Sequence, residues 1–83
     1  DHECVIGDFT HIAPNAVLCG NVTVGQGSFI GANSVIRQGV RIGNNVIVGA
    51  GSVVLKDIPD NATFVGNPAK LLVKKEAQKL VAA

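Results

Sequence analysis

Two histidines and a glutamate near the start of the chain are the residues best suited to chemistry. His2 and Glu3 are adjacent in "DHECVIGDFTHIAP", and His11 follows nine positions after His2. A neutral imidazole, whose unperturbed pKa is about 6.5, can take a proton from an attacking amine or hydroxyl. A carboxylate on its other ring nitrogen would fix the tautomer and stabilise the imidazolium. Because neighbouring residues in a strand face opposite ways, His2 and Glu3 can meet only where the backbone turns a corner.

The two cysteines point to structure rather than to catalysis. Cys4 and Cys19 are fifteen positions apart, lack a CxxC motif and stand among aliphatic residues. This setting favours small buried thiols over a zinc site or a disulfide. The chain also has only 2 histidines, fewer than the three histidine ligands per metal that a carbonic anhydrase on a repeat fold would need. We therefore expect no metal.

A repeat with a period of six residues organises the chain from Ile6 to Pro59. The first position of every hexad is aliphatic, and the fifth is small or β-branched. Glycine often takes the second position, where we expect it to tolerate the backbone angles of a corner. The first-position residues are Ile6, Ile12, Leu18, Val24, Ile30, Ile36, Ile42, Val48 and Val54.

Period six matches neither a 3.6-residue helix nor a long alternating strand, but it fits a solenoid with three flat sides per turn. Each turn then has 18 residues, so nine hexads give about three turns. Successive turns would pair in parallel at roughly 4.8 Å. The fold class expected is an all-β solenoid.

Outward residues fall into columns 18 positions apart. Two columns are largely apolar, and contiguous exposed apolar surface usually marks an interface. Three-sided prisms meet conveniently around a threefold axis, which favours a homotrimer. The apolar columns are Val17, Val35 and Val53, and His11, Phe29 and Ile47; a mixed third column is Val5, Thr23, Arg41 and Pro59.

The composition argues against several classes of function. The net charge is only +1 and the only aromatics are 3 phenylalanines, so neither a basic surface nor a stacking platform for nucleic acid is present. No apolar stretch reaches the roughly 20 residues that cross a bilayer, and no signal-peptide pattern occurs, so we expect a cytoplasmic protein. A chain of 83 residues allows one domain that needs help from a partner to be stable.

The hexads end at Pro59, which divides the chain into a β-helix over 1–59 and a tail over 60–83. The segment "DIPDNATFVGNPAK" is rich in turn residues and predicts a loop that leaves the prism. The last segment, "KLLVKKEAQKLVAA", predicts a short amphipathic α-helix. Its apolar side would hold Leu72, Val73, Ala77, Leu80 and Val81.

The hexads "IGANSV", "IGNNVI" and "VGAGSV", followed by "KDIPDNATFVGNPAK", resemble the hexapeptide-repeat acyltransferases. The resemblance implies a left-handed parallel β-helix that works as a homotrimer. The opening "HECVIGDFTHIAPNAVLCGNV" is similar to the sialic acid O-acetyltransferases and UDP-4-amino-sugar N-acetyltransferases of that family. This similarity implies transfer of acetyl from acetyl-CoA to an amine or hydroxyl of a sugar or nucleotide-sugar. It also implies an N-terminal nucleotide-sugar domain before Asp1.

The resemblance assigns roles to individual residues. His2 matches the general base, and Glu3 matches the acidic residue that raises its basicity. His11 matches a histidine near the thioester carbonyl, although it also fits as a polar member of its interface column. Ala32 and Gly49 fall on positions whose backbone lines the coenzyme groove.

Two further features bear on acetyl-CoA. The column of Pro14, Ala32 and Ala50 has small side chains, which leave a shallow wall for a thin pantetheine arm. Lys70 could meet a coenzyme phosphate as a point charge, although a solvated lysine fits the sequence equally well.

A function of another class stays open at this point. A β-helix of this kind could act purely as a trimerisation module for an attached domain, without activity of its own. Titration of a folded trimer with acetyl-CoA separates the two hypotheses.

Overall fold

The computed structural model describes residues 3–72, which form eleven short β-strands and no helix within that range. Most strands have two residues, because each flat side of the solenoid is short. The strands are β1 Val5–Ile6, β2 His11–Ile12, β3 Val17–Leu18, β4 Thr23–Val24, β5 Phe29–Ile30, β6 Val35–Ile36, β7 Arg41–Ile42, β8 Ile47–Val48, β9 Val53–Val54, β10 Thr63–Val65 and β11 Lys70–Leu71.

Strands three apart along the chain pair in parallel and form three sheets, which we call faces A, B and C. Face A contains β1, β4 and β7, and face C contains β3, β6 and β9. Face B contains β2, β5, β8 and β10, with β11 at its edge. Val17 pairs with Val35 and Val35 with Val53, which confirms the predicted 18-residue turn. The expected left-handed parallel β-helix of about three turns is the observed fold.

The first-position aliphatic residues from Val24 to Val54 lie in the core, as the repeat predicts, while those of the first coil are more exposed. Ile30, Ile36 and Val48 are each 0% exposed, and Val24 and Val54 are 1% exposed. Full burial of such a side chain contributes about 1.5–3 kcal/mol. Since the chain has no large aromatic core, stability depends on stacking these small side chains coil upon coil.

Fifth-position side chains join neighbouring coils by hydrogen bonds that the sequence pattern did not reveal. Thr10 Oγ1 donates to the Gly25 carbonyl at 2.8 Å, and Ser34 Oγ donates to the Gly49 carbonyl at 3.0 Å. Cys4 Sγ donates in the same way to the carbonyl of Cys19 at 3.2 Å. Within residues 3–72, no buried side-chain nitrogen or oxygen lacks a hydrogen-bond partner.

The corners use the fourth hexad position, which corrects the prediction that second-position glycines supply the corner angles. Left-handed φ values occur at Asn15 (65°), Asn33 (61°) and Gly39 (80°), all fourth-position residues. The second-position glycines are needed instead for close approach. A Cβ atom on Gly31 would lie 2.5 Å from the amide nitrogen of Ala50 in the next coil.

The coil continues past residue 59, where a loop was expected. Ile58 bridges Ile42, and Thr63 pairs with Ile47, so the turn here has 16 residues. Ile58 therefore stands in the first-position column rather than the fifth. This shift also takes Pro59 out of the column of Arg41, whose amide instead donates to Asp57 Oδ1 at 2.9 Å.

The chain then reverses and adds an antiparallel strand. Val65 pairs with Lys70 and Phe64 pairs with Leu71 at the edge of face B. Lys70 and Leu71, which were predicted to begin a helix, thus belong to a strand. Residues 73–83 of that predicted helix lie outside the described residues.

Candidate functional site

Glu3 lies at the corner between faces C and A, beside an open groove. Its backbone is left-handed, with φ 57°, and its side chain is exposed. The groove has a volume of about 520 Å³. It is lined by Glu3, Val17, Leu18, Cys19, Gly20, Asn21 and Gln38. The corner that could bring a His–Glu pair together is therefore present at Glu3, while His2 itself lies outside the described residues.

Gly20, which follows His2 by 18 positions, lines the same groove. Its carbonyl accepts a hydrogen bond from the Gly39 amide at 3.0 Å, in the next coil. Because Gly20 has no side chain, the groove stays open at this level. Gln38, another 18 positions on, supplies the next lining residue.

His11 lies on face B, in strand β2, and its side chain is exposed. Its ring stacks on the ring of Phe29, with centroids 5.2 Å apart and an interplanar angle of 5°. The residues pair across adjacent coils, which places His11, Phe29 and Ile47 in one column as predicted. Strand β1 on face A separates Glu3 from His11, so the two lie at different edges of the prism within one chain.

The predicted coenzyme-binding residues all lie on face B or directly after one of its strands. Ala32 is half-buried two residues after β5, and its carbonyl accepts a hydrogen bond from Gly51 at 2.8 Å. Gly49 follows β8 at once. Lys70 is exposed in β11 at the edge of the same face.

Gly49 has a structural reason to be glycine. A Cβ atom there would lie 2.6 Å from Val65 Cγ1. Its amide donates to the Phe64 carbonyl at 2.9 Å, and its carbonyl accepts from Ser34 and Ser52. Val65 also pairs with Lys70. Gly49 and Lys70 are therefore both next to Val65, at the C-terminal end of face B.

Phe9 is a surface feature that the sequence interpretation did not single out. It occupies the corner between faces A and B with φ 59°, and its side chain is 94% exposed. The signal was available in the sequence, because the other fourth-position residues from Asn15 to Gly51 are all asparagine or glycine. Phe9 follows the period but departs from this composition.

The part of the chain that the structure describes holds no group of three metal-ligating side chains placed to bind a metal ion. Cys4 and Cys19 are half-buried and form no disulfide. In the same residues, no helix has the length and apolarity to cross a membrane.

Several solved structures superpose closely on this chain. The acetyltransferase domain of PglB from Neisseria gonorrhoeae FA1090 is 47% identical, with a TM-score of 0.86, over 87% of this chain and 35% of that one. It has also been solved in complex with acetyl coenzyme A. PerB from Caulobacter crescentus, in complex with CoA and GDP-perosamine, is 42% identical, with a TM-score of 0.87, over 88% of this chain and 35% of that one.

WeeI from Acinetobacter baumannii AYE is 42% identical, with a TM-score of 0.82, over 86% of this chain and 36% of that one. The chain thus spans only about a third of the length of these proteins. The family model for bacterial transferase hexapeptide (six repeats) matches residues 3–38 and 21–56, which together cover most of the described coils. The chain belongs to this family of bacterial transferases with hexapeptide repeats.

Proposed function

We propose that this chain is the catalytic β-helix of an acyltransferase, which transfers acetyl from acetyl-CoA to an amine of a sugar or nucleotide-sugar. The observation that carries the proposal is the common location of His11, Ala32, Gly49 and Lys70 along face B, which offers one continuous path for an extended coenzyme. The related proteins support the same chemistry, since their descriptions name acetyl coenzyme A, CoA and GDP-perosamine. The description of a perosamine N-acetyltransferase favours an amine over a hydroxyl as the acceptor.

In the proposed reaction, the acceptor nitrogen attacks the thioester carbonyl of acetyl-CoA. His2 takes the proton that this nitrogen loses, and Glu3 stabilises the resulting imidazolium. The tetrahedral intermediate collapses with cleavage of the carbon–sulfur bond. The departing thiolate of CoA takes the proton back from His2, which regenerates the neutral base.

The proposed assembly is a homotrimer in the cytoplasm. Val17 is 51% exposed and Val35 is 37% exposed on face C, and Phe29 is 42% exposed on face B. Apolar side chains in such rows favour burial against another subunit. If the corner between faces B and C points to the threefold axis, then face B of each subunit packs against face C of the next.

In this arrangement the site lies between subunits. The edge of face C that lies farthest from the axis is the corner at Glu3. The corresponding edge of face B is the corner at Phe9, next to His11. Packing B against C brings the Glu3 groove of one subunit beside His11 of its neighbour. This explains why Glu3 and His11 lie apart within a single chain.

Substitution of His2 by alanine in the full-length protein tests the proposed mechanism. Acetyl transfer should fall by about 10²–10⁴-fold, the usual contribution of a positioned base, while the trimer and acetyl-CoA binding persist. Transfer at the wild-type rate would refute the role of His2.

The same exposed faces also support a second candidate function, a trimerisation module without activity of its own. Calorimetric titration of the folded full-length trimer with acetyl-CoA separates the two. Saturable binding supports the enzyme, and the absence of heat from a folded trimer supports the module.

A further inference from the structure

The left-handed corner residues of the prism follow a composition rule that fails only in the first described coil. Every fourth-position residue from Asn15 to Gly51 is asparagine or glycine, the types that tolerate left-handed backbone best. Glu3 and Phe9 take the same conformation, with φ 57° and 59°. Both residues carry a Cβ that crowds the backbone in this region, and Phe9 also carries a bulky ring.

Nothing within residues 3–72 explains the phenylalanine. Its side chain is 94% exposed, so the ring gains no burial against its own coil. Gly27 and Asn45 make the same corner one and two coils further on, with φ 69° and 55°. Asparagine at position 9 would therefore fold with less backbone strain and without an exposed aromatic ring. Backbone strain of this kind tends to cluster at functional sites.

The two corners that break the rule are the two that meet across the proposed subunit boundary. Glu3 ends face C on one side of strand β1, and Phe9 begins face B on the other side. When face B of one subunit packs against face C of the next, Phe9 lies opposite the Glu3 groove of its neighbour. The third corner of this coil, at Asn15, faces the axis instead and keeps the rule.

We infer that Phe9 forms a wall of the acceptor site, where its ring packs against the apolar C–H face of the acceptor's sugar ring. This inference rests on the proposed function. On the proposed path, Ala32, Gly49 and Lys70 hold most of the coenzyme on the later coils of face B, and only its thioester end reaches His11, next to the corner at Phe9. The acceptor must approach the thioester from the remaining open side, between Phe9 and the neighbouring Glu3 groove. Because phenylalanine has only two side-chain torsions, its ring binds there with little loss of side-chain entropy.

The substitution Phe9→Asn in the full-length protein tests this role, with Phe9→Tyr as the conservative variant and Asn45→Gly as the control at the same corner. The probes are UDP- and GDP-linked 4-amino sugars, and the one that the wild type acetylates fastest is used for all variants. We expect Phe9→Asn to raise the acceptor KM about tenfold, with the KM for acetyl-CoA within about twofold of wild type. Phe9→Tyr and Asn45→Gly should keep the wild-type acceptor KM.

Melting temperature and molar mass complete the experiment. Phe9→Asn should remain a trimer and melt no lower than wild type, since it relieves backbone strain. An unchanged acceptor KM would overturn the inference, and so would dissociation of the variant, which would make Phe9 a subunit contact. If the wild type transfers acetyl to none of the probes and binds no acetyl-CoA, the proposed function fails, and the inference falls with it.

Discussion

His11 stacks on Phe29 with ring centroids 5.2 Å apart, one coil above the other on face B. The parallel rings fix the plane of the imidazole at the upper end of the proposed coenzyme path. A residue of the coil below thus holds a side chain that the reaction would use. The 18-residue register therefore places Phe29 where it can orient His11.

Loss of the Phe29 ring should weaken coenzyme binding through His11. An aromatic pair contributes about 0.5–1.5 kcal/mol beyond its buried area, so Phe29→Leu should raise the KM for acetyl-CoA about 2- to 12-fold. Steady-state kinetics of the full-length protein measures this change. Ile47→Val, one coil further down the same column, is the control and should leave the KM unchanged; an equal rise in both variants would argue against the stacking.

Two buried serines should differ in their contribution to stability. Ser28 Oγ donates to the Gly43 carbonyl at 2.8 Å and accepts from the Val46 amide at 3.0 Å. Ser34 Oγ donates to the Gly49 carbonyl at 3.0 Å. Ser28→Ala leaves both a buried N–H and a carbonyl without this partner, which should lower the free energy of unfolding by about 1–3 kcal/mol. Ser34→Ala removes one hydrogen bond and should lower it by about 1 kcal/mol. Chemical denaturation measures both, and an equal loss would contradict the role of the Val46 amide.

Glycines at the two hexad positions should respond differently to asparagine. Gly39 has φ 80° and open space where a Cβ would stand, so Gly39→Asn should change stability by less than about 1 kcal/mol. In Gly31→Asn the new Cβ would meet backbone of the next coil at 2.5 Å, and we expect a loss of roughly 1–3 kcal/mol or more. Thermal unfolding of both variants decides the matter. Greater damage at Gly39 would show that the corner and close-approach roles were assigned to the wrong positions.

A charge on face C should break the proposed trimer, whereas a charge on face A should not. Val35 is 37% exposed in the single chain, and its burial against another subunit would leave an introduced glutamate without a partner. Val35→Glu is expected to give monomers by analytical ultracentrifugation. The matched variant Thr23→Glu, on face A, should stay trimeric, and a trimer in both cases would contradict packing of face B against face C.

The period and its register could be predicted from sequence because every first-position residue from Ile6 to Val54 is aliphatic. The 18-residue spacing then placed Val17, Val35 and Val53 in one column correctly. The continuation through Ile58 and Thr63 was missed, because a turn shortened to 16 residues breaks the strict period while it keeps the pairing. The prediction that second-position glycines supply the corner angles was wrong. Glycine is favoured both by an unusual backbone angle and by close contact between coils, so its presence alone does not distinguish the two.

The candidate site was less accessible to sequence reasoning. Glu3, His11, Ala32 and Gly49 came from family resemblance, and Lys70 came from its charge. Residue types alone could not show that His11, Ala32, Gly49 and Lys70 lie on face B or just after one of its strands. The repeat pattern distinguishes inward from outward positions but not the corners, so it did not predict a role for Phe9. The proposed site also needs two chains, and a repeat pattern describes only one.

Mixed trimers test the shared site most directly. Full-length His2→Ala and His11→Ala variants, each of low activity alone, are co-expressed in equal amounts and their acetyl transfer is measured. If His2 of one subunit works with His11 of the next, random threefold assembly restores about a quarter of the wild-type sites. Activity no higher than the mean of the separate variants would contradict a site shared between subunits.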